Sequence, residues 1–252
     1  GSEMCIRDSM SSYHTTVSGA LQSVARLARA SPYVVRIDTP LAQAEKVAQK
    51  QIGRYPTITA SNVTRTHLRK AKLPAVQMVI FPPDSKSITI LLMSNIPVDK
   101  RENWEHVFDE LTPLIWRNYQ LTRGKNNSIT WKLSEQAKAH YQQRLARLIT
   151  GRGGQYAQGQ KPYQLPDETA YRQVLNLAEH LRHYPGLSGI RADVFDLARY
   201  ATKMWKSTRP DYPYPEWPTM PYLQFRSPKI APLSALQEAQ NGTQNRQEES
   251  PE

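Results

Sequence analysis

Residues 75–93 read AVQMVIFPPDSKSITILLM. The flanking runs 75–81 and 87–93 are almost wholly apolar, and 82–86 between them holds two prolines and three polar residues. Apolar runs of this length without polar alternation are typical of central strands that are covered on both faces. The stretch therefore predicts a hairpin of buried strands at the centre of a sheet.

A second hairpin is predicted further along the chain. Residues 117–123 and 128–133 flank the turn-forming sequence GKNN at 124–127. Their apolar side chains alternate with polar ones, which predicts one buried face and one solvated face. Tyr119 and Trp131 fall at positions of the buried face, and stacking on nucleic-acid bases is the alternative role for these aromatic side chains.

The fold class follows from the elements around these hairpins. Residues 33–37 are dense in β-branched side chains and predict another strand. We expect an α+β fold in which a mainly antiparallel sheet is covered by helices, followed by a small helical unit and a proline- and aromatic-rich arm. Helical periodicity and capping residues predict helices at 10–30, 40–54, 61–73, 101–111, 134–149, 168–183 and 190–206.

Composition changes along the chain predict its domain organisation. Residues 151–160 (GRGGQYAQGQ) have the composition of a flexible linker, so the boundary is expected there. The polar C-terminus has little to bury and is expected to be disordered. The predicted parts are a non-native leader at 1–9, a basic α+β domain at 10–150, the linker at 151–160, a helical pair at 161–209, the arm at 210–236 and the tail at 237–252.

Charge is distributed unevenly over the 252 residues, whose net charge is +11. Residues 10–160 contain 21 Lys and Arg against 9 Asp and Glu, whereas 161–252 contain 11 of each. A positive excess confined to one part of a folded chain predicts a polyanionic partner for that part, most often nucleic acid.

Several classes of site and location are disfavoured by the sequence. Cys5 is the single cysteine and lies in the predicted leader, so disulfides, thiolate zinc sites and cysteine nucleophiles are excluded from the rest. No apolar run approaches the ~20 residues that span a bilayer. We therefore expect a cytoplasmic protein without a membrane partner.

The first group of candidate phosphate-binding residues lies on the helix predicted from residue 61. Arg65, Arg69 and Lys72 are spaced i, i+4 and i+7 and share one face, with Lys70 beside them. Residues 54–86 carry six positive charges against one carboxylate. A solvated helix face is the alternative, but such a face usually mixes both signs, so phosphate binding is slightly favoured.

The second group lies in residues 113–160, where eight Lys and Arg face one acid, Glu135. A basic two-stranded ribbon beside a basic helix can contact phosphates on both sides of a groove. The alternative is a hairpin that only covers the sheet, with lysines present for solubility. The candidates are Arg117, Arg123, Lys125, Lys132, Lys138, Arg144, Arg147 and Arg152, the last in an Arg-Gly-Gly sequence that equally suits a glycine linker.

Each candidate catalytic or metal-binding motif in the sequence lacks a required residue or secondary-structure element. His180 and His183 are spaced i, i+3 on a predicted helix, but a third ligand at suitable spacing is missing and the HExxH pattern is absent. Asp38, Glu45 and Lys46 follow the order of a restriction-type nuclease site, yet Glu45 and Lys46 fall on a predicted helix instead of the required strand. No metal and no cofactor are predicted.

The sequence thus favours a non-enzymatic nucleic-acid-binding protein, with DNA preferred to RNA because no RNA-specific signature occurs. An accessory role in bacterial or mobile-element DNA processing is the accompanying conjecture. The alternative is a subunit of a larger complex that binds proteins through its basic face and through the arm, although packing of the arm on its own domain is favoured. An unrecognised nuclease is the third hypothesis.

Overall fold

A computed structural model describes residues 11–151, 163–223, 227 and 229–236. The predicted α+β fold is confirmed, and every strand pairing in it is antiparallel. Over the described residues the chain forms two compact units. The first comprises 11–113 with 227 and 229–236, and the second comprises 114–151 with 163–223.

The first unit is built on a four-stranded sheet with the strand order β3-β4-β2-β5. Along the chain its elements are β1 (Ser12–His14), α1 (Val17–Leu27), β2 (Tyr33–Pro40), α2 (Ala44–Arg54), α3 (Asn62–Lys70), β3 (Gln77–Ile80), β4 (Ser87–Ser94) and β5 (Glu105–His106).

The hairpin predicted from residues 75–93 is confirmed as β3 and β4, with Ile80 opposite Ile90. β4 lies between β3 and β2, and its residues from Ile88 to Ser94 are all buried. On one face, Ala44 and Ala48 of α2 pack with Ile88 and Ile90.

The second unit contains a three-stranded sheet of order β6-β7-β8 and a group of helices. The predicted hairpin is confirmed, with Leu121 opposite Trp131, and α4 begins after Ser134, whose hydroxyl accepts the N–H of Ala137. Its elements are β6 (Ile115–Trp116), β7 (Tyr119–Arg123), β8 (Ile129–Leu133), α4 (Glu135–Thr150), α5 (Asp167–Arg182) and α6 (Ser188–Thr208).

Helix α6 packs against both α4 and β8, so the hairpin and the three helices share one core. Trp131, Leu145 and Leu197 are fully buried in it. The approach of α6 to β8 requires a glycine at 189, because a Cβ there would overlap the carbonyl group of Trp131.

This packing corrects the predicted domain boundary. The structure divides after Pro113, and residues 114–151 belong with α5 and α6 instead of with the preceding sheet. The reason is that α4 and β8 bury their apolar faces against α6. Residues 152–160 of the predicted linker, the leader 1–9 and the tail 237–252 lie outside the described residues.

The helix predicted at 101–111 is wrong. Glu105 and His106 form β5, which pairs with the start of β2, and the N–H of Val107 donates to the carbonyl of Pro32 at 2.8 Å. The Asp109 carboxylate accepts the N–H groups of Leu111 and Thr112, which forms a local turn. Leu111, the last residue of the predicted helix, is 93% exposed.

The predicted arm at 210–236 is divided between the two units. Residues 210–223 belong to the second unit, where the Trp205 indole N–H donates to the carbonyl of Tyr212 at 3.0 Å. Further along, β9 (Ile230–Pro232) pairs with β1 in the first unit, and Leu233 joins the α2 core. The expected packing of the arm on its own domain therefore holds for its proline-rich half, and the remainder contributes a strand to the other unit.

Candidate functional site

The basic helix α3 lies on the surface of the first unit. Ser61 caps it, with a hydroxyl that accepts the N–H of Thr64 at 3.1 Å. Helix α3 buries none of its residues, yet Arg65 and Arg69 are half-buried. Lys70 and Lys72 are exposed, and neither forms an ion pair among the described residues. The face predicted for Arg65, Arg69 and Lys72 is therefore corrected: the two arginines share α3, whereas Lys72 lies beyond the end of this helix at Lys70, with a positive φ of 56°.

The two arginines face a cleft of about 640 Å³ in the first unit. α1, α3, β1, β3 and the 3₁₀ turn Pro56–Ile58 contribute its walls. Among the residues that the structure describes, three arginines and no carboxylate line it, so the cleft is a concentrated positive site. Its lining residues are His14, Ser23, Arg26, Leu27, Ala30, Ile58, Asn62, Arg65, Thr66, Arg69, Gln77, Met78 and Val79.

The guanidinium group of Arg65 is fixed by its neighbours. Nη1 donates to the carbonyls of Thr57 and Ile58 at 3.2 and 3.1 Å, and Nη2 donates to Oδ1 of Asn62 at 2.8 Å. Its Nε is buried without a hydrogen-bond partner. Burial, and then the nearby charge of Arg69, lower the pKa of Arg65. Arg65 therefore carries a charge that its own surroundings disfavour.

Arg69 is held more loosely than Arg65. Its Nε donates to the backbone carbonyl of Arg65 at 3.2 Å, which orients the side chain along α3. Its terminal nitrogens form no hydrogen bond or ion pair within the described part of the chain. Arg69 is thus positioned by the helix with its strongest donors available to a ligand.

Two lining residues escaped the sequence prediction. His14 of β1 is only 8% exposed and its Nδ1 has no hydrogen-bond partner. Burial, and then the charge of Arg26, lower the pKa of His14, so its neutral form is favoured. No local signal in the sequence connects β1 and α1 with α3. The connection is made by β3, which contacts α1, β1 and the 3₁₀ turn that precedes α3.

In the second unit some of the exposed cations lie on α4, beside the predicted phosphate-binding residues of the hairpin. Arg144 and Arg147 are exposed and form no ion pair among the described residues. The guanidinium of Arg117 stacks on the ring of Trp116 at 4.3 Å, and Nη1 of Arg123 donates to Oδ1 of Asn127 at 2.8 Å. This surface remains open to phosphate contacts through two arginines of α4.

Two lysines of the same surface are neutralised internally. Lys138, a predicted phosphate contact, instead faces α6, where it lies 2.6 Å from Asp193 and 3.4 Å from Asp196. Lys132 pairs with Glu135 at 2.6 Å. The side chain of Lys125 and the whole of Arg152 lie outside what the structure describes.

The aromatic residues of the hairpin belong to the core. Tyr119 is 7% exposed and Trp131 is fully buried. Tyr119 packs edge-on against Tyr184 at 5.6 Å between ring centroids. The favoured core interpretation is confirmed, and stacking of these rings on bases is excluded by their burial.

Other candidate chemistry finds little support in the geometry. Within residues 11–151, 163–223, 227 and 229–236, His, Cys, Asp and Glu do not gather in any group of three that could hold a metal ion. Glu45 and Lys46 lie on α2, as expected, and Asp38 of β2 is occupied by Arg36 and Thr89. In this part of the chain no helix has the length and apolar content needed to cross a bilayer.

Comparison with protein families, with curated proteins and with solved structures finds no significant match to this chain. Fold and function are separable properties, since one fold can carry many activities. The function is therefore argued from the charges, burial and hydrogen bonds of the basic surfaces themselves.

Proposed function

We propose that this protein binds nucleic acid, DNA in preference to RNA, through phosphate contacts made by Arg26, Arg65 and Arg69. The observation that carries the proposal is the composition of the cleft wall, in which the described residues include three arginines and no carboxylate. An anion supplies the missing negative charge, and phosphate is the anion that arginine binds in bidentate geometry. An accessory role in bacterial or mobile-element DNA processing fits such a binder.

A purely solvated basic helix is a weaker explanation of α3. Exposed cations that serve solubility extend into water, whereas Arg65 is half-buried and its guanidinium is anchored to two carbonyls and an amide. Anchoring before a ligand arrives reduces the entropy lost on binding. The arrangement therefore supports a preformed anion site.

The second unit offers separate phosphate contacts through Arg144 and Arg147 of α4. These exposed side chains suit the sequence-independent contacts that account for most non-specific affinity. The proposal assigns no catalytic residue and no cofactor.

A salt titration of binding tests the proposal. Fluorescence anisotropy of the full chain with single- and double-stranded DNA, and with RNA of the same sequence, gives affinity against salt. Each neutralised phosphate contributes about −0.9 to the log–log slope on duplex DNA and about −0.7 on a single strand. We expect Arg69→Gln to weaken binding and to reduce the slope by roughly one contact.

Lys50→Gln provides the matched control, because Lys50 is an exposed cation of the same unit on α2 and lies outside the cleft. Arg69→Lys keeps the charge but loses the planar fork, and is expected to retain part of the affinity. Equal effects of Arg69→Gln and Lys50→Gln would remove the cleft from the binding site. Absence of binding at low salt would overturn the proposal.

A protein-binding subunit is the second candidate function. It is favoured by an apolar cleft of about 580 Å³ in the second unit, lined by residues of α6 and of the proline-rich segment. Phe195 is 62% exposed and Tyr222 is 69% exposed there. If the chain binds no nucleic acid at low salt, the protein-binding function is favoured.

A further inference from the structure

The cleft beside α3 leads from an exposed rim to a buried floor. Arg26, Asn62 and Thr66 at the rim are exposed, whereas His14 is 8% and Val79 is 2% exposed. A nucleic-acid strand that continues past the cleft places its internal phosphates at the rim alone. A group that reaches the floor must instead be the end of its molecule.

The charge of the cleft exceeds what one phosphodiester neutralises. Within the described part of the chain, three arginines line it without a carboxylate, and the buried Nε of Arg65 has no hydrogen-bond partner. A phosphodiester carries one negative charge, whereas a terminal phosphomonoester carries about 1.5 to 2 at neutral pH, with three acceptor oxygens. A terminal phosphate therefore matches the number of cations better than an internal one.

The remaining wall suits a group larger than phosphate. Leu27, Ile58 and Met78 contribute apolar surface, and the cleft volume of about 640 Å³ lies in the range of small-molecule sites. The apolar wall and the arginines together provide for a sugar and a base as well as for the phosphate.

From this arrangement we infer that the cleft binds a single nucleotide by its terminal phosphate. This inference rests on the proposed nucleic-acid function and narrows its ligand to a phosphorylated strand end or to a free mononucleotide, which share the same chemistry. Arg69 and Arg26 contact the phosphate, Arg65 supplies a fixed charge behind it, and the apolar wall receives the base.

The test compares end chemistry at constant length. Anisotropy of the full chain is measured with a short single-stranded DNA bearing either a phosphate or a hydroxyl at its 5′ end, and with the same pair at the 3′ end. We expect one phosphorylated form to bind at least about tenfold more tightly than its hydroxyl counterpart, the gain of one or two charge-assisted hydrogen bonds. Calorimetry with dAMP and with inorganic phosphate covers the free-nucleotide source.

Arg26→Gln and Arg29→Gln are the matched variants. Both residues are exposed near the end of α1, but only Arg26 lines the cleft. The inference requires Arg26→Gln to abolish the preference for the phosphorylated end, or the binding of dAMP, while Arg29→Gln retains it. Binding of dAMP without an end preference identifies the free nucleotide as the ligand and supports the inference.

Two results overturn it. One is binding of all oligonucleotides with no end preference and no binding of dAMP, which leaves the general nucleic-acid function intact. The other is inorganic phosphate binding as tightly as dAMP, because the base would then contribute nothing. Failure of every oligonucleotide to bind at low salt would instead refute the proposed function.

Discussion

The cleft beside α3 and the surface of α4 carry similar charges in the sequence but differ in what neutralises them. In the cleft, the lining that the described residues form around Arg26, Arg65 and Arg69 contains no carboxylate. On α4, Lys138 is bound by Asp193 and Asp196 from α6. The first arrangement leaves positive charge for a ligand, whereas the second uses it to hold the unit together.

The comparison teaches that an excess of Lys and Arg in a stretch of sequence does not identify the binding residues. The informative quantity is the positive charge that remains after pairing within the fold. A paired, half-buried lysine has its hydrogen bonds satisfied and must break them to bind phosphate, at a cost that an unpaired arginine does not incur.

The largest expected effect is a loss of stability when Asp193, the partner of Lys138 on α4, is removed. Asp193 is buried and accepts both the N–H of Leu133 at 2.9 Å and the ammonium group of Lys138. Asp193→Ala leaves a buried N–H unpaired and leaves the half-buried Lys138 with the longer 3.4 Å contact to Asp196, so we expect a loss of about 3 kcal/mol in the free energy of unfolding. Urea denaturation measures it.

Asp196→Ala is the control for this variant. Its side chain is 41% exposed and lies farther from Lys138, so its removal is expected to cost less than about 1 kcal/mol. Equal losses for the two variants, or tighter nucleic-acid binding by Asp193→Ala, would break the distinction between structural and ligand-binding cations.

Local signals explain how much of the fold could be predicted. Both hairpins were evident because their turns and apolar runs lie within a few residues of each other. The starts of α3 and α4 were evident because Ser61 and Ser134 cap them through residues three positions ahead. Such contacts depend on neighbours in the sequence, so the sequence alone suffices.

Features decided by distant residues were missed. Residues 105–106 carry a pattern compatible with a helix, but pairing with β2 makes them a strand. β1 pairs with β9 from the far end of the chain, and the hydrogen bond between Lys138 and Asp193 joins residues 55 positions apart. The same reason explains why only some residues of the cleft could be predicted. Arg65 and Arg69 share a helix, whereas His14 and Arg26 reach the cleft only through tertiary packing.

An effect of intermediate size is expected in the pH dependence of stability, through His14 in the cleft. Burial, and then Arg26, lower the pKa of His14 below its ordinary value of 6.5. As pH falls through that value the unfolded chain takes up a proton that the folded chain does not, so stability decreases with falling pH. Asp196, whose pKa is lowered chiefly by the hydrogen bond from Arg199, loses its stabilisation only below its ordinary value of 3.8.

Thermal denaturation between about pH 7.5 and pH 5 isolates the first of these windows. We expect the melting temperature to fall in this range and His14→Phe to reduce the fall. Arg26→Gln should also reduce it, since the repelling charge is removed. An unchanged pH profile in His14→Phe would show that the cleft does not hold a buried neutral histidine.

The smallest expected effect compares paired and unpaired cations within the second unit. Lys132 pairs with Glu135, whose side chain is 78% exposed, whereas Arg144 is exposed without an ion pair among the described residues. Such a surface pair contributes about 0–1 kcal/mol, so Lys132→Gln should alter stability very little.

In the salt titration Arg144→Gln is expected to lower the slope by up to one contact and Lys132→Gln by less, because Glu135 already neutralises the lysine. Glu135→Gln then releases Lys132 and should steepen the slope. The contrary result is that Lys132→Gln and Arg144→Gln lower the slope equally, with no change of slope in Glu135→Gln. That result would mean that ligand phosphates displace Glu135 from Lys132 freely. Pairing would then decide the role of a cation only where the carboxylate is buried, as it is at Asp193.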